Sequence, residues 1–232
     1  MILRKWEYLP PEMQNEQVRP YYDYLAQKKM TLAIKFLLDI ILAIILLLIL
    51  SPVFIAVAIL IKCDSTGEVF FRQERVTRYG KKFRIYKFRT MVKNAEKLGS
   101  QVTTNADMRV TKVGKKIRAC RLDEIPQLIN ILKGEMSFVG TRPEVPRYVE
   151  HYTEEMYATL LLPAGVTSEA SIEYKDEERL LSEAENADEI YITKVLPEKM
   201  RWNYKGINKQ GVGEDIKILF KTVKVAMGKE HK

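Results

Sequence analysis

The chain has 232 residues, of which 47% are apolar, and a formal net charge of +8 at pH 7. This length allows one sizeable core, and the charge favours an anionic partner such as nucleic acid, phospholipid or a phosphorylated substrate. Two histidines and two cysteines argue against zinc sites, histidine triads and a disulfide framework.

The first thirty residues are polar with scattered aromatic side chains, and we interpret 1–30 as an N-terminal extension on or near a membrane surface. Ile40 to Ile61 are apolar throughout except for Ser51, and about 20 such residues suffice to cross a bilayer. The run is too long for a signal peptide and begins too far into the chain. The sequence therefore predicts a membrane protein.

The course of this segment through the bilayer is open from the residues alone. Pro52 near its middle kinks or breaks a helix, and the Ser51 hydroxyl can bond to a carbonyl freed in this way. Basic residues flank both ends, whereas a single span normally has one basic end. A straight anchor and a bent segment that enters and leaves by the same face both fit.

The next segments, "EVFFRQERV" (68–76) and "KKFRIYKFRTM" (81–91), predict two strands joined by a turn at Tyr79–Gly80. Nine basic residues and one acidic residue fall between Arg72 and Lys93, and they occupy both faces of the ribbon. The ribbon is either a solvated edge blunted by lysines or a phosphate-facing surface.

A helix follows, with Pro126 in its first turn and Gly134 at its end. Its apolar residues recur at helical spacing: Leu122, Ile125, Leu128, Ile129 and Leu132. Asp123 and Glu124 fall at or just before its N-terminus, where we expect the helix dipole to keep both carboxylates ionised. Free N–H groups there also favour a bound phosphate.

The remainder predicts a helix from about Val145 to Leu162, a loop over 163–171, an acidic helical stretch over 175–189 and a C-terminal amphipathic helix. The last helix has an apolar stripe that we expect to pack on the core: Ile216, Leu219, Phe220, Val223 and Met227. Its lysines would face lipid headgroups. The fold class is α+β, mostly helical.

A lone Asp–Glu pair at a helix start is usually a capping device. Here it accompanies a membrane segment, a basic ribbon and the Arg142 turn. One or two carboxylates together with substrate phosphates are typical of a Mg²⁺ site, and an aspartate can itself attack phosphorus. The residues predict a membrane-embedded phosphoryl-transfer enzyme with a diphosphate substrate.

From about Lys29 to Met227 the chain resembles the bacterial sugar transferases, also called monotopic phosphoglycosyl transferases. The resemblance lies in "LSPVF", "FRQERV", "KKFRIYKFRTM", "LDEIPQLINILKGEMSFVG" and "DIKILFKTV". It implies an N-terminal extension (1–30), a re-entrant membrane helix broken at Ser51–Pro52 (31–62) and a cytosolic catalytic domain (63–232). That domain would carry a short β-hairpin and amphipathic interfacial helices, on the cytoplasmic face of the bacterial inner membrane.

The resemblance also implies the reaction. Sugar-1-phosphate would pass from a UDP-sugar to polyprenyl (undecaprenyl) phosphate, releasing UMP, as the first membrane step of polysaccharide or glycoconjugate synthesis. Asp123 would be the nucleophile, and Glu124 with Asp123 would hold Mg²⁺. Phosphate- or nucleotide-binding residues would be Lys87, Arg89, Arg118 and Arg142. The partners would be the two substrates and inner-membrane phospholipids. Nucleic acid would not be a partner, and the chain could form a homodimer.

Two segments depart from the usual family pattern. Thr141-Arg142-Pro143 replaces Pro-Arg-Pro at the uridine-contacting turn, and Gly165–Glu169 replaces Gly-Ile-Thr-Gly-Trp in a region expected to shape the sugar pocket. Two other classes of protein stay open. A tethered nucleic-acid-binding protein would use the basic ribbon, and a catalytically silent scaffold of a polysaccharide complex would use the acidic pair only as a cap.

Overall fold

The computed structural model describes residues 3–93, 95, 108–174, 181 and 186–226. The helices in these ranges are α1 (Arg19–Gln27), α2 (Lys29–Asp64), α3 (Lys112–Ala119), α4 (Gln127–Leu132), α5 (Pro146–Val149), α6 (Glu169–Glu173), α7 (Ala187–Ile190), α8 (Leu196–Asn208) and α9 (Val212–Ala226). The strands are β1 (Phe70–Val76), β2 (Lys82–Phe88), β3 (Met136–Val139) and β4 (Ala164–Thr167). The mostly helical α+β prediction is confirmed.

The N-terminal segment contributes to the core. Short 3₁₀ turns at Trp6–Tyr8 and Pro11–Met13 precede α1. Five of its apolar side chains are buried in one cluster with residues of β1 and of the segment before β4: Leu3, Leu9, Met13, Val18 and Leu25. The location of 1–30 relative to a membrane, like the predicted domain boundaries, stays a prediction.

Helix α2 has 36 residues and, among the described residues, is the one helix long and apolar enough to cross a membrane. It passes through Pro52 without interruption, in contrast to the break implied at Ser51–Pro52. Pro52 has no N–H to donate to the Leu48 carbonyl four residues earlier. The Ser51 hydroxyl donates to that carbonyl instead, at 2.8 Å, which accounts for the continuity.

Both halves of α2 pack against the rest of the chain. Before Pro52, Leu42 and Leu50 pack on a core cluster that includes residues of β2, α4 and β3. After it, Val57 and Ile61 are buried against Phe88 of β2 and a residue of α3. The opposite side of α2 is an exposed apolar surface, which includes Ile34, Leu37, Ile41, Ile44, Leu48, Ile55 and Ile59.

Polar side chains fix the start of α2. Lys35 is buried, and its Nζ atom lies 2.6 Å from Asp215 Oδ2 of α9 and 3.8 Å from Asp39 Oδ2. Asp39 in turn accepts a hydrogen bond from the Ser137 hydroxyl of β3, at 2.7 Å. The charged residues near the apolar run therefore face protein partners, not the apolar surface.

Strands β1 and β2 form the predicted antiparallel hairpin, paired from Phe70–Phe88 to Val76–Lys82. The turn requires left-handed backbone at Tyr79 (φ 60°) and Gly80 (φ 71°). Phe83 and Ile85 are buried in the cluster that also receives the first half of α2. The hairpin prediction is confirmed, and its apolar face explains how β2 is held.

Strands β3 and β4 form a parallel pair that the sequence did not predict. The helix expected over Val145–Leu162 is wrong for most of its length, because the structure has α5 and a 3₁₀ segment, Glu155–Leu161. Gly140, directly after β3, and Gly165, within β4, bring the two backbones close together. A Cβ atom on Gly165 would lie 2.2 Å from backbone atoms of Gly140.

The C-terminal region is helical. Helix α7 continues through a π-helical turn, Tyr191–Val195, into α8. Most of the predicted acidic helix over 175–189 lies outside the described residues. Helix α9 is present as predicted, but the expectation that its apolar stripe packs on the core is wrong for three residues. These are exposed: Ile216 by 48%, Phe220 by 74% and Val223 by 56%.

Candidate active site

Strand β2 carries Lys87 toward the acidic pair. Successive side chains of a strand alternate between faces, so Lys87 shares a face with the buried Phe83 and Ile85. Its side chain is 20% exposed, and its ammonium group reaches Glu124. The basic ribbon therefore contributes at least one cation to a partly buried site.

Asp123 and Glu124 lie in a single 3₁₀ turn, Leu122–Glu124, between α3 and α4. Arg121 before this turn has left-handed backbone, with φ of 55°. The helix predicted from Leu122 begins only at Gln127, because the 3₁₀ turn and Pro126 precede it. The acidic pair thus precedes the helix, as the sequence indicated, but on a turn of its own.

Four predicted residues meet here. Lys87 Nζ lies 2.7 Å from Glu124 Oε1 and 4.0 Å from Asp123 Oδ2. Arg142 donates from a terminal guanidinium nitrogen to the same Glu124 oxygen, at 3.2 Å. The carboxyl side chains are each 14% exposed, and that of Arg142 is 37% exposed. We refer to these four residues as the dyad cluster.

The two carboxyl groups differ in acidity. Burial opposes ionisation of Glu124, but Lys87 and Arg142 outweigh it and hold the pKa of Glu124 well below its ordinary value. Burial raises the pKa of Asp123, and the Lys87 ammonium limits the rise. Burial lowers the pKa of Lys87 against the attraction of Glu124. Neighbouring cations and burial, not the helix dipole, thus set their ionisation.

The other two predicted basic residues lie in different surroundings. Arg118 of α3 donates to the Thr90 hydroxyl at 2.8 Å, and its charge lowers the pKa of Asp123. Arg89 is 8% exposed and donates to the carbonyl oxygens of Ser65 (2.7 Å) and Thr66 (3.0 Å), just after α2. The structure places Arg89 at the end of a helix, where it holds backbone carbonyls.

Asn130 is a positioning residue that the sequence reasoning missed. It is fully buried in α4, and its amide bridges to β2: Oδ1 accepts from the Tyr86 N–H at 2.9 Å, and Nδ2 donates to the Arg84 carbonyl at 3.0 Å. Tyr86 directly precedes Lys87, so these two hydrogen bonds fix the position of Lys87 relative to the acidic turn. An asparagine within an apolar helical run was the available signal.

The Arg142 turn is supported from behind by buried charge. Glu144 accepts from the Tyr191 hydroxyl at 2.6 Å and lies 3.7 Å from Lys199 Nζ. Arg75 of β1 donates to the Pro143 carbonyl at 3.1 Å. Tyr191 opens the π-helical turn, a geometry that often occurs at functional sites. No local pattern could have paired Glu144 with a residue 47 positions later.

The acidic pair fits a magnesium ion only in part. Among the described residues, no group of three or more His, Cys, Asp or Glu side chains is placed to hold a metal ion. Asp123 and Glu124 supply two adjacent carboxylates, and protein sites for Mg²⁺ commonly use one or two carboxylates together with substrate phosphates and water. The residues fit an ion that arrives with, or is completed by, a phosphate ligand.

Comparisons with known proteins show which family the chain is similar to. The family model described as bacterial sugar transferase matches residues 30–229. A UDP-N-acetylgalactosamine-undecaprenyl-phosphate N-acetylgalactosaminephosphotransferase of Aeromonas hydrophila is 38% identical over 82% of this chain and 43% of its own length. A UDP-glucose:undecaprenyl-phosphate glucose-1-phosphate transferase of Escherichia coli K12 is 37% identical over 80% of this chain and 38% of its own length.

A third relative, an undecaprenyl-phosphate galactose phosphotransferase of Salmonella typhimurium LT2, is 33% identical over 83% of this chain and 40% of its own length. The chain therefore spans about two fifths of these three relatives. Because the family match covers most of the chain, the chain belongs to the bacterial sugar transferase family. The predicted resemblance is confirmed.

Proposed function

We propose that this chain is a phosphoglycosyl transferase that moves a sugar-1-phosphate from a UDP-sugar to polyprenyl phosphate, giving polyprenyl-diphospho-sugar and UMP. The observation that carries the proposal is the dyad cluster, in which two carboxyl groups face Lys87 and Arg142 within 4.0 Å. The names of the three relatives support undecaprenyl phosphate as the acceptor. Since those names differ in the sugar, they do not select one here.

In the first step, a carboxylate oxygen of Asp123 attacks the sugar-bearing phosphorus of the donor. A P–O bond to Asp123 forms, the P–O bond to the bridging oxygen breaks, and UMP leaves with that bond's electron pair. Asp123 suits this role because its raised pKa makes it the more basic carboxyl group, and basicity favours nucleophilicity.

In the second step, a phosphate oxygen of polyprenyl phosphate attacks the same phosphorus. The bond to Asp123 breaks, the carboxylate is regenerated, and polyprenyl-diphospho-sugar is released. Lys87 and Arg142 would stabilise charge on the phosphoryl oxygens in both steps, while Glu124 keeps both cations in position. Arg118, whose positive charge acts on Asp123, would add to this stabilisation.

Magnesium, held by Glu124 and Asp123 together with phosphate oxygens, would neutralise part of the charge on the diphosphate. Glu124 suits this assignment, because Lys87 and Arg142 hold its pKa well below the ordinary value and keep it ionised as a ligand. Lys87 would then exchange part of its contact with Glu124 for the incoming phosphate.

The packing of α2 supports a bent entry into one membrane leaflet. Residues on both sides of Pro52 contact the domain that carries the dyad cluster. A straight span would carry one of these contact regions into the bilayer core, about 30 Å thick, and away from a domain that lies on one side of the membrane. We propose that both ends of α2 lie on the cytoplasmic side of the inner membrane, with the exposed stripe of α9 resting on the same leaflet.

The testing experiment measures nucleotide release. Detergent-solubilised chain, Mg²⁺ and polyprenyl phosphate are mixed with UDP-glucose, UDP-galactose, UDP-N-acetylglucosamine or UDP-N-acetylgalactosamine, and UMP is separated from UDP. We expect UMP release from at least one donor that requires lipid and Mg²⁺ and is lost with EDTA. Trapping sugar-phosphate on the protein, absent in Asp123→Asn, would report the covalent step.

Other results exclude this proposal or parts of it. UDP release would indicate ordinary glycosyl transfer. Full activity in excess EDTA would remove magnesium from the mechanism, and unchanged turnover of Asp123→Asn would remove Asp123 as nucleophile. No release from any donor, with no trapped adduct, would favour the silent scaffold.

A further inference from the structure

A cavity lies beyond the carboxyl ends of the parallel strands β3 and β4. Its other walls are the last turns of α8 and the first turns of α9, and it has about 90 Å³ for the centres of water-sized molecules. Polar and apolar side chains line it together: Thr141, Ser168, Trp202, Asn203 and Gln210 with Val139, Leu162, Ile207 and Ile218. The carboxyl ends of parallel strands are a common place for ligands in other folds.

The cavity wall and the dyad cluster contain consecutive residues of the chain. Thr141 lines its wall, and the next residue is Arg142, whose guanidinium group contacts Glu124 at 3.2 Å. Consecutive Cα atoms are only about 3.8 Å apart. A substrate with its phosphate at the dyad cluster could therefore extend past Thr141 into this space.

Most of the charged side chains around the cavity are already paired, and among the lining residues Lys209 stands outside these ion pairs. The ion pairs are Lys217–Glu214 at 2.6 Å, Lys221–Glu169 at 3.9 Å and Lys35–Asp215 at 2.6 Å. A ligand that carried net charge would have to compete with them. The wall therefore suits a neutral ligand with many hydrogen-bonding groups.

Gln210 is the residue whose hydrogen bonding is incomplete. It is 8% exposed, and its side-chain Nε2 atom has no hydrogen-bond partner within the part of the chain that the structure describes. A buried amide without partners costs stability, so such groups are uncommon. A small reorientation of the amide would let it bond to an oxygen atom in the cavity.

A polyprenyl chain is a poor occupant. The residues of α9 that line the cavity, among them Glu214, Ile218 and Lys221, recur at helical spacing along one face. The exposed Ile216 and Phe220 lie on the opposite face, so the body of the helix separates the cavity from the apolar surface. An alkyl chain would also leave the amide groups of the wall unsatisfied.

We propose that this cavity holds the glycosyl group of the donor and that Gln210 contributes a hydrogen bond that helps to select the sugar. The assignment rests on the proposed function, since it requires the sugar-bearing phosphate to sit at the dyad cluster. A hexose presents neutral hydroxyl groups, and an N-acetyl sugar adds an amide carbonyl. Both match Asn203, Gln210 and the hydroxyl groups of the wall.

The test compares affinities for UDP and for UDP-sugars. Full-length Asp123→Asn protein is used in detergent, so that no donor is consumed, and Kd is measured for UDP and for each of the four donors named above. The quantity compared is the sugar factor, which is the Kd for UDP divided by the Kd for the UDP-sugar. We expect Gln210→Met to reduce this factor about three- to tenfold for the preferred donor, with UDP affinity unchanged.

Two further variants complete the design. Thr141→Val removes a hydroxyl group at the cavity entrance with little change in volume and should also reduce the factor. Gln27→Met makes the same chemical change at an exposed position of α1 and should leave it unchanged. Because Gln210→Met replaces an unpartnered amide by an apolar side chain, its melting temperature should equal or exceed that of the parent. A purely structural glutamine would give a lower value.

The outcomes separate the two proposals. If UMP release is lipid-dependent but the sugar factor is the same in Gln210→Met and Thr141→Val as in the parent, the cavity assignment is wrong and the function stands. Equal weakening of UDP and UDP-sugars would assign the cavity to the nucleoside and overturn the sugar assignment. No binding of any donor together with no UMP release would remove both.

Discussion

Asp123 and Glu124 are neighbours in the chain but have different electrostatic surroundings. Glu124 presents one oxygen atom to two cations, whereas the nearest ammonium nitrogen to Asp123 lies 4.0 Å away. The pKa of Glu124 is therefore held down, while burial raises that of Asp123. One carboxylate is fixed as a counter-ion and the other stays basic enough to react, which is the division of roles that covalent phosphoryl transfer needs.

Asp123→Asn is expected to be inactive and more stable. The folded pKa of Asp123 is raised, so the unfolded chain ionises more readily and ionisation at pH 7 favours unfolding. A neutral asparagine of the same shape removes this cost. We expect lipid-dependent UMP release to fall by roughly 10³-fold or more, together with a higher melting temperature in the same detergent.

Asp23→Asn is the matched control, since Asp23 is half exposed and paired with Arg19 on α1. It should keep full activity and change stability little. A lower melting temperature for Asp123→Asn would show that the carboxylate stabilises the fold, contrary to the assigned pKa shift.

Glu124→Gln tests a pKa shift of the opposite direction to that of Asp123. The folded pKa of Glu124 is depressed, so its ionised form contributes stability above its ordinary pKa, and this contribution is lost as pH falls toward the folded value. We expect the parent to lose stability on acidification below about pH 5, and Glu124→Gln to lose less over the same range. At pH 7 the variant should be less stable by about 3 kcal/mol, because Lys87 loses its partner.

Chemical unfolding at pH 7, 5 and 4 measures this difference. Parallel curves for parent and variant would mean that Glu124 does not carry the acid dependence. Catalysis has its own pH profile: the rate should fall as pH drops through the raised pKa of Asp123, because a protonated carboxyl group is a poor nucleophile.

At the scale of elements, strand β2 and the residue that follows it serve two purposes with side chains two positions apart. Lys87 reaches the acidic turn, whereas Arg89 holds the carbonyl oxygens that follow α2. Asn130 of α4 bonds to the strand just before both. The hairpin therefore couples the end of the apolar helix to the dyad cluster through a rigid backbone segment.

Lys87→Met and Arg89→Met form a matched pair of variants. Lys87→Met should reduce UMP release by about 10²- to 10³-fold, since a cation at the phosphoryl group is lost. Arg89→Met should destabilise the chain by roughly 2–4 kcal/mol, because several buried carbonyl groups lose a charged donor. Its activity per folded molecule should stay within a few-fold of the parent.

Thermal unfolding and UMP release on the same preparations distinguish the two effects. If folded Arg89→Met showed a catalytic defect as large as that of Lys87→Met, then Arg89 would bind substrate after all, as the family resemblance implied. Rescue by Arg89→Lys would be partial at best, since one ammonium group cannot reach the Thr66 and Ser65 carbonyls as a guanidinium does.

At the scale of the whole molecule, two exposed apolar surfaces stand out. The exposed face of α2 and the Ile216–Phe220–Val223 stripe of α9 are far too apolar for water alone. Both flank the core that carries the dyad cluster, and Lys35 and Asp215 join the two helices directly. The chain is therefore expected to lie in one leaflet with its active site at the level of the headgroups.

Cysteine labelling tests this arrangement. In a Cys120→Ala background, Cys63 in the last turn of α2 and a Lys29→Cys substitution at its start, both exposed positions, give one thiol at each end. A membrane-impermeant maleimide should label both in inside-out vesicles and neither in spheroplasts. Opposite labelling of the two ends would establish a straight span.

The same measurement on Pro52→Ala tests the role of the proline. Alanine restores the backbone N–H that Pro52 lacks and that can bond to the Leu48 carbonyl. A straight helix therefore becomes easier to form. If both ends of this variant still label only from the cytoplasmic side, then packing of α2 on the domain, not the proline, sets the topology.

Local sequence patterns predicted the elements whose contacts are local. The hairpin followed from alternation and a turn at Tyr79–Gly80, and α9 from helical periodicity. Strands β3 and β4 have four residues each and pair across 28 positions of the chain, from Met136 to Ala164, so no short-range pattern marked them. The sequence predicted Glu155–Leu161 as part of an α-helix, but the structure has a 3₁₀ segment there. Its shape depends on packing against distant residues, which no short-range pattern shows.

The candidate site shows the same division. The acidic pair, Lys87 and Arg142 were found because charge in an otherwise apolar setting stands out in a sequence. The substrate-binding role of Arg89 stays a prediction, and its contacts with the Ser65 and Thr66 carbonyls were not foreseen because a basic motif does not reveal which of its cations points inward. Asn130 and the Glu144–Tyr191 contact depend on tertiary proximity, which one sequence does not contain.

The close approach of Gly140 and Gly165 has a consequence for how this protein can diverge. Because a Cβ atom at Gly165 would lie 2.2 Å from backbone atoms of Gly140, neither position tolerates another residue without separation of the two strands. Natural variation and laboratory libraries are therefore confined to the residues that follow these glycines and to the facing turns of α8 and α9. A library restricted to Thr141, Asn203 and Gln210 should explore new donors at less risk to the fold, whereas one that includes the glycines would consist largely of unfolded members.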